Sequence, residues 1–145
     1  MPEISDKVKI QFTSLQINDI EWEVIDQITS KGLETMATKL GSNTSEPSWM
    51  AFIAIGDGLV VPSSEDLVLN SEIHRKRGTV SVIANTYFVE ASFAKDEPTD
   101  DCWVREVGIF DAISGGFMGA RWTLVDEVLK EFDEEIYIKI AISIL

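Results

Sequence analysis

The stretch from residue 103 to residue 124 constrains the fold more than any other part of this sequence. Two runs of β-branched and aromatic residues flank an Ile-Ser-Gly-Gly tetrapeptide at 113–116. Apolar runs separated by a short, glycine-containing connection are typical of β-hairpins. Glycine supplies the positive φ angles of such a turn without steric cost. The sequence therefore predicts an antiparallel hairpin over residues 103–124.

Gly108 and Gly119 stand inside the predicted arms of this hairpin. Glycine weakens a strand unless another backbone or a large ring comes close to it. We therefore expect aromatic rings to pack over the two glycines, from among Trp103, Trp122 and Phe110. Glu106 and Arg121 lie on facing arms, and with a suitable register they pair across the hairpin.

The last ten residues, 136–145, have the clearest strand pattern in the chain. One face carries isoleucine at every second position, namely Ile136, Ile138, Ile140, Ile142 and Ile144. The other face carries Tyr137, Lys139, Ala141, Ser143 and Leu145. A period-two apolar face needs a covering layer, and each fully buried isoleucine contributes about 1.5–3 kcal/mol. This strand is therefore predicted to be a main contributor to the core.

A change of period predicts a helix at residues 30–40. The apolar residues there recur at helical spacing and form one stripe, namely Leu33, Met36, Ala37 and Leu40. Thr29 or Ser30 is suited to cap the start of this helix, and Gly41 to end it. We expect Met36 to fill the core.

The remaining segments are those of an antiparallel fold. Residues 49–55, 79–84 and 87–93 favour strands, 67–75 a short irregular or helical piece, and 126–135 an acidic turn. Glu72 and Arg75 would pair on a helical turn. The chain is therefore predicted to be mainly β with one or two short helices. Its expected architecture is an antiparallel β-sandwich or barrel-like domain with a helix packed on it.

Residues 1–27 admit two interpretations. Alternating apolar residues favour two short strands, with Val8, Ile10 and Phe12 in the first and Ile20, Trp22 and Val24 in the second. The alternative is an extended arm that docks on a neighbouring subunit. The chain is accordingly divided into an N-terminal strand or arm, 1–27, and a β domain, 28–145.

Composition excludes several partners. A chain of 145 residues is typical of one domain, and its net charge of −13 repels nucleic-acid phosphates. The one basic cluster, residues 74–77, favours a solvated strand entry. No run reaches the ~20 apolar residues of a membrane span, and the acidic N-terminus lacks the pattern of a secretory signal. We therefore expect neither a nucleic-acid nor a membrane partner.

The inventory of reactive residues argues against an enzyme. His74 is the only histidine and Cys102 the only cysteine, too few for a zinc site and incapable of an intrachain disulfide. The Gly-Asp-Gly at 56–58 lacks the Lys-Ser/Thr of a phosphate-binding loop, so a tight turn is the better interpretation. An acidic loop at 94–101, with its carboxylates in 96–101, would attract calcium but lacks EF-hand spacing. We expect no catalytic residue, no cofactor and no metal.

Four short motifs follow one another along the chain. They are Ile-Ala-Ile-Gly-Asp-Gly at 53–58, Leu-x-x-Glu-x-x-Arg at 69–75, Arg-Glu-Val-Gly-Ile-Phe-Asp-Ala at 105–112 and Gly-Ala-Arg-Trp at 119–122. In this order, and over residues 28–145, the chain resembles the N-terminal attachment domain of bacteriophage tail-fibre (tail-collar fibre) proteins. The matching positions are Gly56, Asp57, Gly58, Leu69, Glu72, Arg75, Glu106, Gly108, Phe110, Asp111, Ala120 and Arg121. The resemblance implies that these residues form the fold and not a reactive site.

The resemblance also implies a function. Such domains are virion structural proteins that fix fibres to the tail or baseplate, generally as oligomers and without a cofactor. Some 27 residues precede the matched region and no fibre shaft follows it, so we expect a small adaptor. Its partners would be tail, baseplate and fibre proteins and copies of itself around the tail axis. It would be made in the host bacterial cytoplasm and reside in the virion.

Other functions compete with this one. A β-sandwich that grips host-surface glycans would expose tryptophans, and a neck or head–tail connector would assemble in the same way as an adaptor. An acidic mimic that occupies the basic groove of a DNA-binding protein would be a monomer with a dense stripe of carboxylates.

Overall fold

The computed structural model describes residues 10–40 and 50–144. Within these residues the chain forms ten strands and one helix. In order they are β1 (Ile10–Ile17), β2 (Ile20–Glu21), β3 (Val24–Ile28), α1 (Ser30–Leu40), β4 (Phe52–Gly56), β5 (Glu72–Arg77), β6 (Thr79–Ile83), β7 (Thr86–Phe93), β8 (Cys102–Phe110), β9 (Met118–Lys130) and β10 (Ile136–Ile144). Its helix is too short to span a membrane.

The strands form two five-stranded antiparallel sheets that pack face to face. Sheet A has the order β2-β1-β10-β7-β6, and sheet B has the order β3-β9-β8-β4-β5. Helix α1 packs on β9, where a Cβ atom at Gly32 would lie 2.1 Å from the carbonyl oxygen of Gly119. The predicted mainly β, antiparallel architecture with a helix packed on a sheet is confirmed.

Both lateral edges of the sandwich are joined by short corners. On one side Trp22 and Glu23 alone separate β2, at the edge of sheet A, from β3, at the edge of sheet B. On the other side Gly78 alone separates β5 from β6, and its N–H donates to the carbonyl oxygen of Ala51 at 2.6 Å. Chains that switch sheets at bends of this kind give a sandwich a barrel-like closure.

The main core lies between the sheets. The isoleucines of β10 at 136, 138, 140 and 142 are all buried there, and they share one cluster with Val107, Ile109, Ala120 and Trp122 of the hairpin. The side chain of Ile144 lies outside the described part. The prediction that the terminal strand is a main contributor to the core is therefore confirmed.

The hairpin itself is formed by β8 and β9. Its turn occupies residues 111–117, where Gly115 and Gly116 have φ angles of 61° and 70°. The predicted role of the two glycines in the turn is confirmed. Gly119 sits at a register shift, because Phe110 faces Met118 whereas Ile109 faces Ala120. This bulge turns Met118 to the outer face of sheet B and Ala120 to the core.

Two predictions of secondary structure are wrong. Strand β9 continues to Lys130, so residues 126–130 are not part of a turn; Val128 faces Val104 while exposed acidic residues face solvent. Residues 72–75 are the start of β5 and neither irregular nor helical. A register shift at Ile73 places Glu72 and Arg75 on one face, which imitates the i,i+3 spacing of a helix.

The start of α1 is as predicted, but its apolar stripe is not. Thr29 caps the helix, since its Oγ1 accepts from the N–H of Gly32 at 2.9 Å. Met36 is buried as expected, whereas Leu33 is 40% exposed because Gly32, one residue earlier, makes the close contact with the sheet. The predicted stripe positions 37 and 40, the end of the helix at 41 and the tryptophan at 49 fall outside the side chains described.

Strands β1 and β3, near the start of the described residues, each pair with another strand of the same chain. β1 pairs with β10 in sheet A, and β3 pairs with β9 in sheet B. Ile20, predicted to share a face with Trp22 and Val24, is 62% exposed because β2 is only two residues long. Residues 1–9 lie outside the described part, and whether 1–27 reaches a neighbouring subunit stays a prediction.

Candidate functional site

Most of the twelve motif positions meet on the outer face of sheet B. Along β8, Val107 and Ile109 enter the main core, so Glu106, Gly108 and Phe110 point to the opposite face. A loop at residues 57–71, here called the anchored loop, connects β4 with β5 over this face. Its Leu69 forms a second, smaller apolar cluster with Ala54, Phe110 and Met118 of the sheet.

The carboxylate of Glu106 is the centre of this layer and is fully buried. Its Oε2 accepts from the backbone N–H of Gly58 at 2.9 Å and of Ser71 at 2.6 Å. Its Oε1 accepts from the N–H of Asn70 at 2.9 Å. One side chain on the sheet thus binds both ends of the anchored loop through hydrogen bonds to a charged acceptor, which are the strong kind.

Arg121 on β9 completes the anchor. Its Nε donates to Oε1 of Glu106 at 3.0 Å, so the pairing expected across the hairpin is confirmed. Its two Nη atoms reach into the loop, one to the carbonyl oxygen of Val60 at 2.7 Å and one to Asp66 at 3.2 Å. Thr123 donates to the same Val60 oxygen at 3.1 Å. The middle of the loop is therefore hydrogen-bonded to sheet B, as its ends are.

The two glycines of the Gly-Asp-Gly sequence are explained by the lack of room for a side chain beside Glu106. A Cβ atom at Gly56 or at Gly58 would lie 2.6 Å from Oε2 of Glu106, too close for either to be replaced without moving the carboxylate. Neither glycine has a positive φ angle. The tight-turn interpretation gave the wrong reason for these glycines. Asp57 marks the base of the loop, where its N–H donates to the Ser71 oxygen at 3.0 Å.

Arg75 ties the hairpin turn to the same layer. Its guanidinium lies 3.6 Å from the ring centroid of Phe110, and its Nη1 donates to the carbonyl oxygens of Ala112 and Gly115, both at 2.8 Å. Glu72 accepts from the same guanidinium at 2.7 and 3.0 Å. Within the turn, Asp111 accepts from the N–H of Phe117 at 2.7 Å.

The expectation of rings over the glycines of the hairpin is half right. A Cβ atom at Gly108 would lie 3.3 Å from the Phe110 ring and 2.8 Å from Leu69. At Gly119 the close neighbour is the side chain of Met50, so the expected ring is wrong there. Of the motif positions, Ala120 alone faces the main core.

The outer surface of the anchored loop is apolar, a feature that was not predicted from the sequence. Five aliphatic side chains are 56–68% exposed, namely Leu59, Val60, Val61, Leu67 and Val68. Three of them, Val60, Leu67 and Val68, border a depression of about 410 Å³ with Glu65, Asp66 and Arg121. The available signal was two short aliphatic runs, 59–61 and 67–69, with neither strand nor helix periodicity.

In the acidic loop, Glu97 makes hydrogen bonds and ion pairs with other groups of the protein. Glu97 accepts from Lys76 at 2.7 Å and from the N–H of Ala94 at 2.9 Å. The hydrogen bond from Lys76 lowers the pKa of Glu97 below its ordinary value. His74 lies 3.8 Å from the same carboxylate. Over residues 10–40 and 50–144, no three His, Cys, Asp or Glu side chains are grouped as metal ligands would be.

Comparisons of the chain with protein-family models, curated proteins and solved structures find no match. What the site can do follows from its geometry. Glu106 and Arg121 form a polar anchor beneath the anchored loop, and the exposed aliphatic side chains form the outer surface of the loop. Such an arrangement holds an exposed aliphatic surface in a defined position.

Proposed function

We propose that this protein is a bacteriophage virion structural protein, a tail or baseplate adaptor that attaches fibres by protein–protein contact. The observation that supports the proposal most is the convergence of the motif residues beneath the anchored loop. The residues that resemble an attachment domain hold in place the most apolar exposed loop of the described chain. We therefore assign attachment to that loop.

The energetic argument starts from what the loop leaves unburied. Burial of one aliphatic side chain contributes about 1.5–3 kcal/mol, and five such side chains on the loop face solvent. A loop with so little apolar burial is ordinarily mobile. Here Glu106 and Arg121 fix it before any partner arrives. A pre-organised surface loses less conformational entropy on binding, so more of the burial energy appears as affinity.

The negative charge around the site indicates which kind of protein surface would bind there. Glu65 is exposed at the rim of the depression, and the whole chain carries −13. An attached protein would insert an apolar side chain between Val60, Leu67 and Val68 and surround it with lysine or arginine. Complementary charge of this kind accelerates association at low salt more than it raises affinity.

The virion role is tested by composition. Mass spectrometry of purified virions is expected to find this chain at a fixed copy number relative to other tail proteins. Absence of the chain from particles would refute the virion assignment.

The role of the loop is tested separately by complementation. The double variant Val61→Asp/Val68→Asp changes two exposed side chains, and Val125→Asp on β9 is the matched exposed control. We expect particles with the control to carry fibres at the wild-type level and particles with the double variant to lose them. Normal fibre content with the double variant would exclude the anchored loop as the attachment surface.

One observation favours the glycan-binding alternative. Trp103 is 42% exposed and faces Leu129 across the hairpin, which leaves part of an indole open to solvent. Glycan binding by the isolated protein that is lost in Trp103→Ala and kept in the double loop variant would favour that function over attachment.

A further inference from the structure

Strand β6 is an open edge of sheet A. It pairs with β7 on one side, and no other described strand pairs with it on the other. Residues 78–89, which include the whole of β6, contain no charged side chain, although 26% of the chain is charged. An open strand edge offers unpaired N–H and C=O groups to another strand.

The other three edges are protected in the ways that natural proteins use. β2 has only two residues. β3 carries Asp26, and β5 carries Glu72 and a run of basic residues. Short strands and charged side chains prevent edge-to-edge pairing, and β6 has neither. Although the chain has a net charge of −13, contact between two copies at β6 would bring no like charges together within residues 78–89.

The groups available on the open edge follow from the hairpin geometry. Residues Ala84 and Asn85 form a two-residue connection, so Ile83 and Thr86 face each other as its flanking pair. Such a flanking pair is hydrogen-bonded, and hydrogen-bonded pairs alternate along an antiparallel ladder. Ser81 and Thr79 therefore also bond to β7. The N–H and C=O groups of Val80 and Val82 are left to point outward.

We propose that β6 pairs antiparallel with β6 of a second copy of this chain, around a two-fold axis at Ser81. In this register Val80 faces Val82 of the second copy and the reverse pair also forms. These two residues are the ones with outward-pointing backbone groups. In this register the N–H and C=O groups of Val80 and Val82, four on each copy of β6, all find hydrogen-bond partners in the other copy. The surface is thus complementary to itself, as a two-fold interface requires.

The side chains fit the same register. Val80 packs on the main core while Val82, on the same face, is 65% exposed. Pairing would place Val82 beside Val80 of the second copy and continue the apolar face of sheet A. On the other face Thr79 would meet Ile83 of the second copy. Pairs of β-branched residues across strands stabilise a sheet.

Disulfide trapping tests the register. With Cys102→Ser as background, Ser81→Cys would bring two thiols onto the axis, where Cα atoms of a non-hydrogen-bonded pair lie about 4.5 Å apart. That separation is within the range of a disulfide, roughly 4.4–6.8 Å. Thr79→Cys is the matched control: its thiol would lie four residues from its counterpart, about 13 Å along the strand. We expect Ser81→Cys dimers to form at least about tenfold faster, and equal rates would overturn the register.

Sedimentation velocity tests the dimer itself. The wild-type chain is expected to dimerise, and Val82→Lys to weaken dimerisation about tenfold or more while circular dichroism stays unchanged. Ile25→Lys, an exposed aliphatic residue on the edge strand β3, is the matched control and is expected to dimerise like the wild type. A wild-type chain that stays monomeric, or a control that is weakened as much as Val82→Lys, would overturn the proposal. The outcome is independent of the attachment function, which depends on the loop and on virion composition.

Discussion

Replacing Glu106 with glutamine tests whether hydrogen bonds to a buried carboxylate hold the anchored loop. The substitution changes almost no volume, so any effect comes from charge and from hydrogen-bond donors. Each oxygen of Glu106 accepts two hydrogen bonds, Oε1 from Asn70 and Arg121 and Oε2 from Gly58 and Ser71. A glutamine amide replaces one of these oxygens with a donor.

The magnitude follows from this count. Whichever way the amide of the glutamine turns, two of the four donors face an NH₂ group and lose their acceptor. A buried donor left without a partner costs about 1–3 kcal/mol. In either orientation one of the two donors is buried, Gly58 or Arg121, and the other is only partly buried, Ser71 or Asn70, so the expected loss is about 2–4 kcal/mol. That is a large part of the roughly 5–15 kcal/mol that stabilises a typical domain. Weakening of the contact with the buried Arg121 acts in the same direction.

Urea unfolding followed by tryptophan fluorescence measures the total effect, since Trp122 lies in the main core. With a slope of about 2 kcal/mol per molar urea, a loss of about 4 kcal/mol lowers the midpoint by about 2 M. Hydrogen exchange then locates the effect. The amides of Gly58, Asn70 and Ser71 are expected to lose protection, while those of β10 change only as much as global stability does.

Glu127→Gln is the matched control because Glu127 also pairs with an arginine across β8 and β9. Its partner is Arg105 at 2.5 Å, and both side chains are partly exposed. Surface ion pairs contribute about 0–1 kcal/mol, so this variant is expected to lose no more than that. If Glu106→Gln costs as little as the control, or if the three loop amides keep their protection, the carboxylate of Glu106 does not hold the anchored loop.

Three further outcomes are expected. Gly32→Ala would ordinarily stabilise a helix by about 1 kcal/mol, but the new Cβ would lie 2.1 Å from the Gly119 oxygen, and overpacking of this kind costs about 1–3 kcal/mol. We therefore expect a net loss of up to about 2 kcal/mol in urea unfolding, and a gain in stability would contradict this. The hydrogen bond from Lys76 lowers the pKa of Glu97 below 4.5. The contribution of the ionised Glu97 to the free energy of unfolding is therefore present above pH 4.5 and is lost as the pH falls through the lowered pKa. The stability difference between wild type and Glu97→Gln, measured from pH 7 down to pH 3, should therefore shrink below about pH 4.5, and a constant difference would refute it. Burial raises the pKa of the Cys102 thiol above its ordinary value. At pH 8 the thiol should therefore react with a disulfide reagent more slowly than free cysteine, and the reaction should become faster when urea unfolds the chain. Equal rates for the folded protein and free cysteine would contradict this.

The parts of the fold that the sequence predicts well depend on local patterns. The isoleucines of β10 alternate without interruption, and the turn glycines of the hairpin lie within seven residues of both arms. Period and turn chemistry are visible over such short distances. The errors arise where one residue shifts the pattern. The bulge at Ile73 gives β5 a helix-like spacing of Glu72 and Arg75, and the close approach of Gly32 to β9 moves Leu33 away from the sheet.

The candidate site shows the same limit more strongly. The resemblance named Glu106 and Arg121, and their positions on facing arms predicted their pairing. The sequence does not show that the carboxylate binds backbone amides, because its three donors lie 35, 36 and 48 residues away. Backbone N–H groups also have no signature in the sequence. Only the path of the chain brings Gly58 and Ser71 to the same oxygen.

A carboxylate suits this position because of what the loop must leave exposed. If the loop were held by its aliphatic residues, Val60 and Leu67 would be buried against sheet B and lost as a binding surface. Glu106 and Arg121 instead bind its backbone, whose N–H and C=O groups need partners wherever they are buried. Replacing such a pair with apolar residues can preserve or even raise stability, but it leaves those backbone groups unsatisfied and the loop conformation unspecified. The buried ion pair is therefore better explained by the fixed shape of the anchored loop than by its contribution to stability.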